Sequence, residues 1–267
     1  MFERSPPPPP PGASSHAAPA TPAGRRHTVS AFDEDLTGIV ALTLRLGGQA
    51  EELTDLALRA METGDPALAE DAAARRARLT GFARSATASA AFVLALRQPM
   101  AADLRLVLAA LRMIPALERT GELAANIAAR GAELRRAGAC ADGRGAAASA
   151  SAGPDDPDLA LRRFGGRALS QLSMALSAHQ ARDAARARAV WRRDAALDAH
   201  FSSLLDSLVA GMAERPQDVA RFAQRLFLAK DLERIGDQAR RIAAASWWMQ
   251  SGREIDEAPP FPEPDAD

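Results

Sequence analysis

The chain has 267 residues, with 33 Lys and Arg against 34 Asp and Glu and a formal net charge of −1. This balance excludes the concentrated positive charge that a nucleic-acid-binding surface needs. The single cysteine, Cys140, excludes disulfide bonds within the chain, which suits a reducing cytosol.

The composition predicts an all-α fold. Ala, Leu and Arg dominate, aromatic residues make up 4% of the chain, and tyrosine is absent. Strong helix formers are therefore abundant, while the β-branched and aromatic residues typical of strands are scarce. Because we find no apolar core of a secretory signal and no apolar run of bilayer length, we expect a cytoplasmic protein without direct membrane insertion.

In chain order, the pattern predicts two three-helix units between flexible ends. Pro6–Pro11 and the scarcity of large apolar residues around them predict a disordered arm, and the acidic, Pro-rich C-terminus predicts a disordered tail. The predicted parts are an arm (1–30), a first unit (31–137), a linker (138–157), a second unit (158–251) and a tail (252–267). The predicted helices cover about 32–62, 66–96 and 101–136, then 159–181, 184–213 and 217–250. Short turns between long helices favour antiparallel bundles.

An internal repeat supports this division. Residues 117–128 read LERTGELAANIA and residues 232–243 read LERIGDQARRIA, at an offset of 115 without gaps. Both segments belong to the third helix of their unit, and each carries an apolar stripe with helical spacing. We predict that these stripes are core: Met113, Leu117, Thr120, Ala124 and Ile127, and Leu228, Leu232, Ile235, Ala239 and Ile242. Pro115 inside the first stripe predicts a kink.

Beside each stripe lies a pair of carboxylates spaced i, i+4, namely Glu118 and Glu122, and Glu233 and Asp237. Like charges at this spacing repel each other, and a glycine before the second acid weakens each helix further. A multivalent cation would convert this repulsion into chelation. Two other interpretations stay open: an ordinary solvated helix face, and a glycine that only permits close helix packing.

Three segments together resemble the PhoU family. Asp231–Asp237 reads DLERIGD, which is similar to the motif that this family carries once per three-helix repeat. Arg97–Arg105 resembles the family's loop before a third helix, and Asp194–Asp198 resembles its acidic pattern in a middle helix. The resemblance spans about residues 32–250 in the family's order and spacing. It implies two tandem three-helix bundles, and repeats of this kind can form a homodimer.

The resemblance also implies a function and a site. PhoU proteins act as non-catalytic adaptors between the ATPase subunit of a phosphate ABC transporter and a sensor histidine kinase, and they repress the phosphate-starvation response when phosphate is plentiful. Some members bind iron or another metal, with Mn²⁺, Mg²⁺ and Ca²⁺ also compatible with oxygen ligands. The implied ligands here are Glu233, Asp237, Asp194 and Asp198 in the second unit, and Glu118 and Glu122 in the first.

The first unit departs from the family pattern at its middle and third helices. Arg76 and Thr80 stand where the family has acidic or amide residues, and Ala116 replaces the leading acid of the motif. A complete metal site is therefore expected only in the second unit.

Other interpretations are open. The chain could regulate a different phosphate permease, or it could be a metal-storing or metal-sensing bundle. His200 on the second middle helix allows a phosphotransfer role in principle. Trp247, Trp248 and Met249 form either an exposed partner-binding patch or the apolar end of a helix that caps the bundle.

Overall fold

The computed structural model describes residues 23–142 and 156–255. Within these ranges the chain forms six long α-helices and one short 3-10 turn, without a β-strand. The helices are α1 (Ala23–Thr63), α2 (Pro66–Arg97), α3 (Ala101–Asp142), α4 (Pro157–Gln180), α5 (Ala184–Glu214) and α6 (Val219–Ser251), with the turn at Pro216–Asp218. The predicted all-α class and the number of helices in each unit are confirmed.

Helix boundaries differ most from prediction next to the undescribed segments. Helix α1 begins at Ala23, inside the predicted arm, and residues 1–22 lie outside the described part. Helix α3 continues to Asp142, so the predicted linker starts too early. The rest of that linker, up to residue 155, is also outside the described part. The added segment reads Ala-Gly-Ala-Cys-Ala-Asp, and its three alanines, the strongest helix formers, favour the longer α3.

Three helix starts are encoded locally by aspartate caps. Asp65 Oδ1 accepts a hydrogen bond from the Ala67 amide at 2.9 Å, and Asp183 Oδ1 accepts one from the Arg186 amide at 2.9 Å. Asp156 does the same at the start of α4. Each cap satisfies a backbone donor that the first turn leaves without a helical partner. Asp65 and Asp183 are the N-caps of α2 and α5, so the two middle helices each begin after an aspartate cap.

The two units pack side by side through their third and first helices. Within each unit the three helices contact one another, while α3 packs against α6 and α1 against α4 across the boundary. All ten residues predicted for the two stripes are completely buried, which confirms both stripes as core: Met113, Leu117, Thr120, Ala124, Ile127, Leu228, Leu232, Ile235, Ala239 and Ile242. Pro115 lies inside α3, which continues past it without interruption.

Ion pairs link the units around this core. Asp158 of α4 accepts a hydrogen bond from Arg225 Nε at 2.7 Å and lies 3.5 Å from Arg135 Nη1 of the first unit. Burial alone would raise the pKa of Asp158, but the guanidinium groups of Arg225, Arg135 and Arg221 outweigh it and lower the pKa below its usual value. Asp231 of α6 lies 3.9 Å from Arg130 of α3, a second link between the units.

The end of α6 caps the bundle. This was one of the two alternatives predicted for Trp247, Trp248 and Met249, the other being an exposed partner-binding patch. Trp247 and Met249 are buried, and the guanidinium of Arg112 stacks 4.1 Å from the ring centroid of Trp248. Gly252 then turns the chain with a positive φ of 70°, and Ile255 enters an apolar cluster that includes Trp247. The predicted start of the tail at residue 252 was therefore too early, because Ile255 is 4% exposed.

Helix α2 is apolar beyond what its packing uses. It contains an 18-residue window with a mean hydropathy of 1.3, long and apolar enough by composition alone to cross a membrane, of which 28% is buried here. This window was not predicted, because serine and threonine interrupt its apolar residues. Phe92 and Leu96 lie one turn apart on α2 and stay 60% and 57% exposed, and Met100 in the turn after the helix is 79% exposed. The helix nevertheless packs against α1 and α3 as part of the first unit.

His179 near the end of α4 is buried in an uncharged form. It is 5% exposed, and its Nδ1 has no hydrogen-bond partner among the described residues. Burial, assisted by the positive charge of Arg182, lowers the pKa of His179 from 6.5 to about 4. A neutral, buried imidazole makes no accessible phosphoacceptor.

We expect Gly131→Ala to reduce the free energy of unfolding by about 1–3 kcal/mol, because overpacking costs this much in a filled core. A Cβ at position 131 would lie 2.5 Å from Met61 Cα, a backbone atom that cannot move without shifting α1. Gly81→Ala is the matched control, since nothing lies within 4 Å of its Cβ position, and it should stabilise by up to about 1 kcal/mol. Urea unfolding followed by circular dichroism measures both; equal effects of the two substitutions would contradict the packing.

The lowered pKa of His179 predicts a loss of stability in mild acid. The folded state takes up this proton only near pH 4, whereas the unfolded state takes it up near pH 6.5. The stability is therefore fully present above pH 6.5 and falls by roughly 2 kcal/mol between pH 7 and pH 5. Thermal unfolding at several pH values should show this loss in the wild type and a flatter profile in His179→Gln. Parallel profiles would contradict the assignment.

Candidate functional site

The predicted site residues lie on the third helices and on the middle helices that face them. Glu118 and Glu122 are partly buried on α3, and Glu233 and Asp237 are partly buried on α6. In each unit the middle helix packs against the third, α2 on α3 and α5 on α6. This packing decides which middle-helix side chains meet the carboxylates.

The glycine of each motif allows this close packing. A Cβ at Gly121 would lie 3.1 Å from Leu79 Cδ1 of α2, and a Cβ at Gly236 would overlap the side chain of Leu197 of α5. The predicted interpretation of these glycines as close-packing positions is therefore supported in both units. Leu79 and Leu197 occupy equivalent places, so the residues around them also correspond: Arg76 with Asp194, and Thr80 with Asp198.

In the second unit, Asp194 is the centre of the site. It is 5% exposed, its Oδ1 accepts a hydrogen bond from Gln171 Nε2 at 3.0 Å, and its Oδ2 lies 3.4 Å from Arg240 Nε. Burial raises the pKa of Asp194, and the negative charges of Asp198 and Asp237 raise it further, against the opposing effects of Gln171 and Arg240. Three predicted ligands thus act on one another electrostatically.

The remaining acids of the α6 motif have separate partners. Glu233 Oε2 lies 2.8 Å from Lys230 Nζ on the same helix, and its side chain is 13% exposed. Asp231 faces the first unit, where it pairs with Arg130. Burial raises the pKa of Asp231, opposed by the charges of Arg130, Arg234 and Arg119. The leading acid of the motif therefore contributes to the contact between units.

In the first unit the motif acid Glu122 is paired with arginine side chains. Glu122 Oε2 lies 2.6 Å from Arg119 Nη1, and its Oε1 lies 3.9 Å from Arg76 Nη2 of α2. Both oxygens thus have a guanidinium neighbour. Glu118, one turn earlier on the same helix, is partly buried.

The oxygen ligands of the second unit fit a hard cation in their chemistry, since carboxylates are the groups that Mg²⁺, Mn²⁺, Ca²⁺ and oxidised iron prefer. A buried carboxylate with a raised pKa next to two further acids is the arrangement that a cation would stabilise. Across residues 23–142 and 156–255, however, no three His, Cys, Asp or Glu side chains converge closely enough to form a ready ligand shell. Carboxylates of α5 and α6 would have to turn toward an ion.

Gln171 and Arg240, the polar partners of Asp194, were not predicted from the sequence. Gln171 carried a detectable signal: it interrupts the buried face of α4 formed by Phe164, Ala168, Leu172 and Ala175, and a polar residue there must find a buried partner. Arg240 carried no comparable signal, because arginine is frequent throughout this chain.

His200 does not join the carboxylates as a catalytic partner in the described contacts. It is exposed on α5, and its Nδ1 lies 2.5 Å from the Ala196 carbonyl oxygen of the same helix. This contact is local to one helical turn, and it neither supports nor requires phosphotransfer.

The fold and the site together define a class of protein: a tandem pair of three-helix units that display a repeated carboxylate motif on their third helices. The family model described as the PhoU domain matches residues 43–131 and again 161–245. These two matches coincide with the two units. The chain belongs to the PhoU family.

Relatives and solved structures agree with this assignment. The phosphate-specific transport system accessory protein PhoU homolog of Caulobacter vibrioides is 34% identical over 86% of this chain and 94% of its own. The corresponding Rhizobium meliloti protein is 32% identical over 85% of this chain and 90% of its own. The crystal structure of PhoU from Pseudomonas aeruginosa matches 83% of this chain and 100% of its own, at a TM-score of 0.74 and 28% identity. A Streptococcus pneumoniae PhoU structure has the same fold, at a TM-score of 0.71 over 84% of this chain and 98% of its own, with 23% identity.

We expect Asp194→Asn to leave stability unchanged or to raise it by up to about 1 kcal/mol at pH 7 in metal-free buffer. The amide keeps an acceptor for Gln171 and removes repulsion from Asp198 and Asp237, although it also weakens the pair with Arg240. Because the folded-state pKa of Asp194 is raised, its charge costs most at neutral pH, and wild type and variant should converge as pH falls. Thermal unfolding with chelator present measures this.

Asp206→Asn, on the exposed side of α5, is the control and should have no effect. A loss above about 1 kcal/mol in Asp194→Asn would mean that the Arg240 pair outweighs the repulsion.

Proposed function

We propose that this protein regulates phosphate uptake and phosphate-starvation signalling as a non-catalytic adaptor. In this proposal it links the ATPase subunit of a phosphate ABC transporter to a sensor histidine kinase in the cytoplasm. It represses the starvation response when phosphate is plentiful.

The observation that carries this proposal is the match to the family over both units. Relatives that are named accessory proteins of a phosphate-specific transport system are 30–34% identical to this chain over most of its length. The motif, the middle-helix acids and the turn before α3 all belong to the matched part. The kinase link and the repressing sign rest on the family resemblance of the motif alone.

The site chemistry is consistent with docking rather than turnover. Glu233 of α6 is held by an ion pair with Lys230, and Asp194 of α5 is held by Arg240 and the buried Gln171, which favours a defined surface geometry. A nucleophile activated by a neighbouring base would mark an enzyme. His179 and His200 offer no such arrangement, because His179 is buried without a partner at Nδ1 and His200 contacts its own helix.

A second candidate function is metal binding at the second unit, which one observation favours. The negative charges of Asp198 and Asp237 both act on the buried Asp194, and a cation would relieve this repulsion. The proposed ligands are Asp194, Asp198, Glu233 and Asp237, which would supply oxygen donors to iron, Mn²⁺, Mg²⁺ or Ca²⁺. An ion held there would bridge α5 to α6 and set the geometry of the partner surface. Regulation of a different phosphate permease is the alternative to the kinase link.

We expect deletion of the gene to switch on a phosphate-starvation reporter in phosphate-rich medium. Wild type should restore silence, whereas Glu233→Ala combined with Asp237→Ala should restore it only in part, because the motif face then lacks its acids. The measurement is reporter output together with phosphate uptake in each strain. Reporter and uptake that both stay unchanged on deletion would reject the signalling proposal, and altered uptake alone would favour the permease alternative.

The matched control is Asp206→Ala combined with Glu214→Ala, which removes two exposed acids of α5 away from the motif. This variant should complement like wild type. If it fails equally, loss of negative charge in general explains the result, and the motif has no special role.

A further inference from the structure

The two units of this chain have opposite charge at one equivalent position. The middle helices begin at the aspartate caps Asp65 and Asp183. They meet their third helices through equivalent leucine–glycine contacts. Three residues before that leucine, the first unit has Arg76 and the second has Asp194.

The surroundings of these two residues follow their charge. Arg76 Nη2 lies 3.9 Å from Glu122 Oε1, on the side of the third helix where Asp194 experiences the charge of Asp237 in the other unit. Arg119 binds the second oxygen of Glu122 at 2.6 Å. A positive side chain thus stands in the first unit where the second unit has its most buried acid.

The balance of charge differs accordingly. In the first unit Glu122 of α3 faces two guanidinium groups, those of Arg76 and Arg119. In the second unit four acids have two basic partners in contact, Lys230 with Glu233 and Arg240 with Asp194. In the second unit the acids therefore outnumber the basic groups that contact them, and a cation could balance this excess.

We propose that Arg76 acts as a built-in counter-ion that closes the carboxylate face of the first unit to multivalent cations. This proposal deepens the metal-binding part of the proposed function and restricts it to one face of the chain. A guanidinium group keeps its positive charge at all physiological pH values, so no change of pH opens the first face. Glu118 and Glu122 then serve packing and ion pairing, contrary to the role implied for them by the family resemblance.

The test measures Mn²⁺ binding by the loss of the free-ion electron spin resonance signal. The parent protein carries Asp194→Asn and Asp237→Asn, so that the second unit contributes little and the outcome does not depend on whether it binds metal in the wild type. Into this parent, Arg76→Asp and Thr80→Asp copy the second unit's acids. We expect the parent to bind Mn²⁺ negligibly and the copied variant to bind one equivalent, with affinity increased roughly hundredfold or more.

The control adds the same charges elsewhere on α2. Arg84→Asp with Thr87→Asp alters two exposed residues in the same parent and should leave Mn²⁺ binding unchanged. Circular dichroism verifies that each variant is folded. If the copied variant does not fold, Arg76→Gln replaces it, and removal of the guanidinium alone should then raise binding at least roughly tenfold.

Two results would overturn the proposal. One is a parent that already binds Mn²⁺ and loses this binding on Glu118→Gln with Glu122→Gln, because the face would then be open despite Arg76. The other is a folded variant without Arg76 that gains no binding. Neither result bears on the reporter experiment, so failure here and failure of the signalling proposal are distinguishable.

Discussion

The close approach of each middle helix to its third helix is the constraint on which the rest of the structure depends. A leucine of the middle helix rests on a glycine of the third, Leu79 on Gly121 and Leu197 on Gly236. A side chain on either glycine would have to displace the end of that leucine, because interiors are close-packed. The same contact places the residues one turn before the leucine against the motif acids. The contacts that pack the two helices together therefore also determine which side chains of the middle helix lie against the motif acids.

Because the two units repeat one pattern, equivalent positions can be compared between them. A difference in charge at such a position is then informative. The units share caps, core stripes and leucine–glycine contacts, so the backbone does not require a particular charge beside the motif. The first unit pairs its acid with Arg76 and Arg119. The second buries Asp194 among further acids, which raises its pKa. Burial and like charges both destabilise the charged form of Asp194. This indicates that the acid is retained for a role other than stability.

Much of this architecture was predictable because its signals are local. Alanine, leucine and arginine set the helices, aspartate caps and prolines set their starts, and the 3.6-residue period of apolar residues set both core stripes. The predictions were wrong at positions where the local sequence carries no signal of the tertiary contact. The sequence pattern placed Ile255 in a polar tail, whereas in the structure it packs into the apolar cluster that includes Trp247. The apolar window of α2 was not predicted, because serine and threonine interrupt its apolar residues.

The sequence by itself determined the two-unit helical organisation, the buried faces of the third helices and the positions of the carboxylates, because each depends on spacing along one helix. Only the tertiary structure decided which charges meet. Gln171 and Arg240 reach Asp194 from α4 and α6, and Arg130 reaches Asp231 across the boundary between units. Such contacts depend on how separate helices pack in three dimensions, and a periodic pattern within one helix contains no information about its neighbours.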